Sequence, residues 1–195
     1  MRRERLTAGL VILATLVGSC TLFSAREVAL TGAIGLPLDD SWIHSAIARN
    51  LAEGKNYRFV EGEPSLPCST APLWTALEAA GMWLARPALP HQASAGTRAI
   101  VVAKALGFAA GFAACLVLAF LAHRVTGSKS LGLLAGVLLA SQARFVWGVL
   151  SGLEVPLYVL LTLLGLAAHL AWRDSAGSRR HVPMALFALA LLTTI

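Results

Sequence analysis

The stretch LTAGLVILATLVGSCTLFSA, residues 6–25, runs for twenty positions without a charged side chain. At a rise of about 1.5 Å per residue, a helix of this length matches the hydrocarbon core of a bilayer, which is ~30 Å thick. Arg2, Arg3 and Arg5 precede the stretch, as basic residues commonly do on the cytoplasmic side of a span. Residues 1–25 are therefore predicted to form a first transmembrane helix that acts as a signal anchor.

Cleavage after this run is the alternative, either as a signal peptide or at the lipoprotein-like sequence VGSC, residues 17–20. In both cases the segment that follows lies outside the cytoplasm.

Further apolar runs occupy residues 99–122, 131–150 and 155–172, and another begins after Pro183. The chain is 57% hydrophobic and only 13% charged, about half the charged share of an average soluble domain. The sequence therefore predicts an all-α fold, a polytopic transmembrane helix bundle. Residues 99–195 would supply helices two to five, with the last one truncated.

The basic residues between these runs predict the orientation. Arg124 and Lys129 separate the second and third runs, and Arg173, Arg179 and Arg180 follow the fourth. These segments would lie on the cytoplasmic side with the N-terminus, which predicts a multi-pass protein of the inner (plasma) membrane. The net charge of +6 comes from such flanking residues, so no nucleic-acid partner is expected.

Residues 26–98 form the predicted extracytoplasmic loop, and they contain two helical patterns. The first starts at Asp39 and Asp40 and places Ile43, Ile47 and Leu51 in one row. The second runs from about Thr70 to residue 85 and is too short to span. We expect both to be amphipathic helices at the membrane surface, in contact with lipid through their apolar sides.

Alternatives remain open for the polar residues of the first helix. Asp39 is also explained as an N-cap, although one cap does not account for two adjacent aspartates. His44 lies one turn after Asp40, and a single histidine without other ligands is ordinarily an interfacial side chain.

Several short motifs appear in a fixed order along the loop and beyond it. They are Asp39-Asp40-x-x-Ile43, then ARNLAEG at residues 48–54, GEP at 62–64, TAPLW at 70–74 and SGLEVPL at 151–157. From about residue 36 onward this order resembles the GT-C superfamily of membrane glycosyltransferases, most closely the bacterial protein O-mannosyltransferase and arabinosyltransferase-like members.

The resemblance implies transfer of a sugar from a polyprenyl-phosphate donor to an acceptor on the outer face of the membrane. It implies that Asp39 and Asp40 are the catalytic acids, one of them as general base. It leaves the cofactor open, a divalent metal included, and assigns no metal ligand. Membrane lipid is the other expected partner.

The chemistry of such a transfer indicates further substrate-binding residues. Cations can stabilise the phosphate leaving group, and His44 and Glu154 can line the same cavity. The candidate substrate-binding residues are His44, Arg49, Lys55, Arg58 and Glu154. As alternatives, the three cations are ordinary contacts to anionic lipid, and Glu154 forms a structural ion pair with Arg144.

Members of this superfamily have more spans than the runs counted here, so the sequence is interpreted as the N-terminal part of a transferase. The remaining C-terminal part of the same enzyme would then be a partner. The competing hypotheses are a non-catalytic membrane subunit, or truncated remnant, that binds a lipid or protein partner, and a transporter, which lacks support because no acid lies near the middle of a run.

Overall fold

The computed structural model describes residues 2–55, 69–86, 94–174 and 181–191. These residues form helices joined by short connections, with no strand among them. The predicted all-α class is confirmed. In chain order the helices are α1 (Arg2–Thr31), α2 (Asp39–Ala52), α3 (Pro72–Ala85), α4 (Ala95–Thr126), α5 (Lys129–Ser141), α6 (Ala143–Leu150), α7 (Val155–Asp174) and α8 (His181–Leu191).

Three of the described helices are long and apolar enough to cross a membrane, which indicates a membrane protein. The candidate spans are Leu6–Thr31 in α1, Gly96–Thr126 in α4 and Val155–Asp174 in α7. They correspond to the first, second and fourth apolar runs of the sequence. Burial is greater along α4 than along the other two, and α4 packs against α5, α7, α3 and α6, so it is the central helix.

The third apolar run was predicted to form one transmembrane helix, and the structure has a broken helix there. The run is divided into α5 and α6, which meet at an angle of 61°. Gln142 has an extended backbone at the break, and its side-chain oxygen accepts the Phe145 N–H at 2.5 Å. A polar side chain that caps a new helix thus replaces the continuous backbone ladder at this point.

The core of the bundle lies where α1, α4, α5 and α6 meet. Ile12 and Leu16 of α1, Cys115 of α4 and Val149 of α6 are almost completely buried there. Gly107 allows α6 to approach α4 closely, since a Cβ at this position would lie 2.2 Å from the backbone oxygen of Val149. Any side chain would therefore force the two helices apart.

Two ion pairs join the helix ends at one end of the bundle. Lys129 Nζ donates to Glu4 at 2.8 Å, and Arg124 Nη2 donates to Asp174 at 2.5 Å. The start of α1, the α4–α5 connection and the end of α7 therefore lie together, as the alternating direction of the predicted spans requires. Helices α2 and α3 lie at the opposite end, where α1 ends and α4 begins.

Candidate functional site

The helix α2 begins with the two aspartates. Leu38 occupies the N-cap position, and no side chain caps the helix. Asp39 and Asp40 are both exposed and lie in the first turn, where a negative charge interacts favourably with the helix dipole. Asp39 is thus the first helical residue and not the N-cap that the alternative interpretation suggested. Gly54 follows the helix with a φ of +77°, the left-handed conformation in which glycine commonly ends a helix.

Much of the polar side of α2 is buried together with Ile47 of the apolar row, which differs from the predicted placement. Ser41, His44 and Ser45 lie among the buried residues of this helix, whereas Trp42 is exposed. The sequence alone indicated that the apolar row would contact lipid and the polar side would face away from it. The reason for the difference is tertiary: α2 packs closely on α3, which offers hydrogen-bonding partners to the polar side.

His44 is 2% exposed and is held by hydroxyl groups of α3 and of the segment that leads into it. Its Nδ1 lies 2.9 Å from Ser69 Oγ and 3.5 Å from Thr75 Oγ1. Ser69 Oγ lies 2.8 Å from Thr75 Oγ1 and accepts the N–H of Ala71 at 3.1 Å. Thr75 Oγ1 donates to the backbone oxygen of Ala71 at 3.1 Å. This network fixes the imidazole ring in one orientation.

The other side of the ring faces Glu154, which lies at the end of the turn between α6 and α7. His44 Nε2 and Glu154 Oε2 are 3.9 Å apart, too far for a direct hydrogen bond. Burial lowers the pKa of His44, and the nearby Asp40 carboxylate partly offsets that effect. Burial also raises the pKa of Glu154, and Asp40 adds to the increase. Both shifts favour the uncharged forms, so the geometry is not that of a formed ion pair.

Glu78 of α3 is a second buried acid in this cluster. It is completely buried and accepts a hydrogen bond from Ser45 Oγ at 3.4 Å. Burial raises the pKa of its carboxyl group to about 8, with an added contribution from the charge of Glu154. Its Oε1 atom, Ser41 Oγ and Glu154 Oε2 are buried without a hydrogen-bond partner among the described residues.

The indole of Trp74 attaches this cluster to the turn that carries Glu154. Trp74 is buried, and its Nε1 donates to the backbone oxygen of Gly152 at 2.9 Å. Gly152 has a φ of +79°, and a Cβ there would lie 2.7 Å from Leu36. The turn is therefore held between α3 and the segment that precedes α2, two residues before Glu154. We refer to Asp40, His44, Glu78 and Glu154 as the acid–histidine cluster.

The predicted cations do not join this cluster in the described structure. Arg49 is exposed near the end of α2, and the exposed Lys55 lies 3.2 Å from Glu53. Arg58 lies outside the described residues. Arg144 is exposed at the start of α6, and the suggested ion pair between Arg144 and Glu154 is not formed. In the described ranges, no group of three or more histidine, cysteine or acidic side chains could hold a metal ion.

Sequence reasoning missed Glu78, Ser69 and Thr75 as members of the site. A signal for Glu78 was present, because it is the one charge within the apolar segment PLWTALEAAGMWLA of α3. Such a residue is expected to face the protein interior with a partner. No comparable signal existed for Ser69 and Thr75, whose role depends on the packing of α2 against α3.

An open groove of about 640 Å³ runs along α1 beside α4. Apart from two hydroxyl groups, apolar side chains line it. The lining residues are Val17, Cys20, Thr21, Ser24, Ala25, Val28, Ile34 and Phe108. Ile34 is two residues from Leu36, which contacts the turn at Gly152. One end of the groove therefore lies near the acid–histidine cluster.

Fold and site together define an all-helical membrane protein with a partly buried cluster of acids and one histidine at one end of its bundle. No protein family, curated protein or solved structure matches this chain.

Proposed function

We propose that this chain is a membrane glycosyltransferase, or the N-terminal part of one, that uses a polyprenyl-phosphate sugar as donor. One observation carries the proposal. His44, one helical turn after Asp40, lies 3.9 Å from Glu154 of the segment SGLEVPL, although Glu154 is more than a hundred residues away in the chain. The segments that carry two separate motifs, in the loop and before α7, are thus in contact.

The chemistry of glycosyl transfer fits such a site. An acceptor hydroxyl becomes a good nucleophile only if a positioned group removes its proton as the new bond forms. The Asp40 carboxylate assists that removal. Asp39 has no comparable link to the cluster among the described contacts, so Asp40 is the more important acid of the two. The donor supplies its own leaving group, the lipid phosphate.

The apolar groove beside α1 supports a lipid-linked donor. Its lining suits a hydrocarbon chain, and its end near Gly152 would bring the phosphate toward the cluster. In this proposal the end with Glu4, Arg124, Lys129 and Asp174 is cytoplasmic, because basic residues are concentrated there. The acid–histidine cluster then faces the outer side of the membrane.

The experiment measures sugar transfer in native membranes from which the gene has been deleted. These membranes receive the full chain in vesicles, together with radiolabelled polyprenyl-phosphate hexoses and pentoses, each tested separately. Substituting Asp40→Asn should reduce transfer by about 10²- to 10⁴-fold, the usual contribution of general base catalysis. Asp174→Asn is the control, because this exposed carboxylate lies at the opposite end of the bundle.

Transfer that depends on the chain and on Asp40 supports the proposal. If no donor gives chain-dependent transfer, the enzymatic function is rejected, and a non-catalytic membrane subunit becomes the better description. If the chain transfers sugar and Asp40→Asn transfers it equally well, glycosyl transfer is supported as the reaction and the catalytic role of Asp40 is wrong.

A further inference from the structure

The hydrogen bonds around His44, taken together, favour a proton on one particular ring nitrogen. The backbone oxygen of Ala71 is only an acceptor, so the proton in its contact with Thr75 must come from the threonine hydroxyl. The Ser69 hydroxyl must then donate in its contact with Thr75. That leaves Nδ1 of His44 as the donor to Ser69 Oγ. This is the only assignment that provides a proton for each of these three contacts.

With the proton on Nδ1, the Nε2 atom of the neutral ring carries a free lone pair. Burial favours this neutral ring, as the lowered pKa of His44 indicates. The lone pair faces Glu154 Oε2 across 3.9 Å, and Glu154 Oε2 has no hydrogen-bond partner among the described residues. At 3.9 Å no direct hydrogen bond joins these two atoms. A hydroxyl group of a ligand that enters this gap would meet a ready proton acceptor.

We propose that His44 Nε2 takes the proton of the acceptor hydroxyl, with Asp40 and Glu154 stabilising the imidazolium that forms. The inference rests on the proposed glycosyl transfer and assigns the proton-accepting atom within it. Ser69 and Thr75 are positioning residues that hold the ring through Nδ1. The side chain of Glu154 is 19% exposed, although its Oε2 atom is buried.

The step balances as a substitution at the sugar. The hydroxyl oxygen of the acceptor forms a bond to the anomeric carbon while its proton moves to Nε2. The bond between the anomeric carbon and the phosphate oxygen breaks, and its electron pair leaves with the polyprenyl phosphate. The imidazolium, opposite the carboxylates of Asp40 and Glu154, then releases its proton to water.

The test compares His44→Asn with the wild-type chain in two measurements. The asparagine amide can still donate to Ser69 from a position close to that of Nδ1, but it has no basic atom where Nε2 lies. The first measurement is the ¹⁵N NMR spectrum of histidine-labelled protein in detergent micelles, in which the signal missing from the variant identifies His44 among the five histidines. We expect Nδ1 to be protonated and Nε2 unprotonated at neutral pH.

The second measurement is the transfer assay described above, carried out as a function of pH. The variant should lose about 10²-fold or more in kcat with little change in KM for the donor. It should also lose the acid limb of the rate profile, which lies below the ordinary histidine pKa of about 6.5. The charges of Asp40 and Glu154 act near this ring, and Glu78 of α3 interacts with Glu154, so Ser69→Ala provides a second variant. It leaves all these charges in place and should shift the ring proton toward Nε2 and lower kcat.

Three outcomes would overturn the inference. A proton on Nε2 in the wild-type spectrum would contradict the hydrogen-bond assignment. A variant His44→Asn with near wild-type kcat, in an assay where Asp40→Asn is inactive, would show that Asp40 takes the proton directly while the proposed function stands. Absence of transfer by the wild-type chain with every donor would overturn the proposed function, and the catalytic assignment of His44 with it.

Discussion

Glu78 shows how one residue can link the stability of the site to pH. It lies in a helix that is otherwise uncharged, it is completely buried, and burial raises the pKa of its carboxyl group to about 8. The group is therefore mainly protonated at neutral pH in the folded protein. A protonated carboxyl avoids the cost of placing a charge in the packed interface between α2 and α3.

The sign of the pH dependence follows from the raised pKa. Between the ordinary glutamate pKa of 4.5 and about 8, the folded state holds a proton that the unfolded state releases. Glu78 therefore lowers the free energy of unfolding progressively as the pH rises through this interval, by up to a few kcal/mol. Above pH 8 the full cost is present, and below pH 4.5 it is absent.

Substituting Glu78→Gln should remove this dependence. A neutral amide retains an oxygen that accepts from Ser45 and does not ionise. We expect the variant to be similar to the wild type at pH 5 and more stable at pH 8.5, measured as the temperature of unfolding in detergent from tryptophan fluorescence. Glu53→Gln, at an exposed position, serves as control. It should change the free energy of unfolding by no more than about 0.5 kcal/mol at either pH. A difference between wild type and Glu78→Gln that does not grow with pH would contradict the buried, protonated state.

At the scale of the helices, hydropathy predicted the positions of the spans. It predicted neither the burial of α2 nor the break between α5 and α6. The spans in α1, α4 and α7 were predictable because an uncharged run of sufficient length has few other stable structures. The burial of the polar side of α2 was not predicted, because the partners of His44 and Ser45 come from α3 and the segment before it. The break at Gln142 was missed because the apolar run continues through it, and only the capping contact with Phe145 divides it.

In the candidate site, too, some residues could be selected from the sequence and others are recognised only from the packing. His44 and Glu154, both selected from sequence, lie 3.9 Å apart, and their role in a substrate site stays a prediction. The roles of Ser69 and Thr75 could not be predicted, because their hydroxyl groups act only through distances that packing determines. The separation of Arg144 from Glu154 has the same origin: the bend places Arg144 at the start of a separate helix.

The close contact between α4 and α6 makes stability sensitive to any side chain at Gly107. In Gly107→Ala, the added methyl group would lie 2.2 Å from the backbone oxygen of Val149. A backbone atom cannot move aside as a flexible side chain can, so we expect a loss of about 1–3 kcal/mol in stability. The matched control is Gly9→Ala in α1, where nothing lies within 4 Å of the added carbon. That substitution should be neutral or slightly stabilising.

The measurement is again thermal unfolding of both variants in the same detergent. Equal unfolding temperatures for Gly107→Ala and Gly9→Ala would mean that α4 and α6 do not approach each other as described.

At the scale of the whole molecule, ion pairs connect helices that are distant in sequence. Besides the two pairs at the end of the bundle, Lys104 Nζ of α4 lies 3.5 Å from Glu27 of α1 and donates to the backbone oxygen of Leu150 at 2.9 Å. Leu150 is the last residue of α6, so its carbonyl lacks a partner within the helix. One partly buried amine therefore joins three helices near the acid–histidine cluster.

The bend between α5 and α6 has a consequence for the surrounding lipid. A helix of 13 residues rises about 20 Å. The eight residues of α6, inclined at 61°, add only about 6 Å along the same direction. The pair thus reaches about 26 Å, less than the hydrocarbon thickness of ~30 Å. Hydrophobic mismatch at this side of the protein would require the bilayer to become thinner.

The protein should therefore unfold at a higher temperature in bilayers of short-chain phosphatidylcholine than in long-chain ones. The expected difference is modest, since each ångström of mismatch costs a fraction of a kcal/mol. Unfolding of the reconstituted chain across a series of acyl lengths measures it, and a stability that rises steadily with acyl length would contradict the short reach of α5 and α6. A chain with this property would collect in thin regions of a membrane, so the thickness of the lipid around it would help to determine where in the membrane it resides.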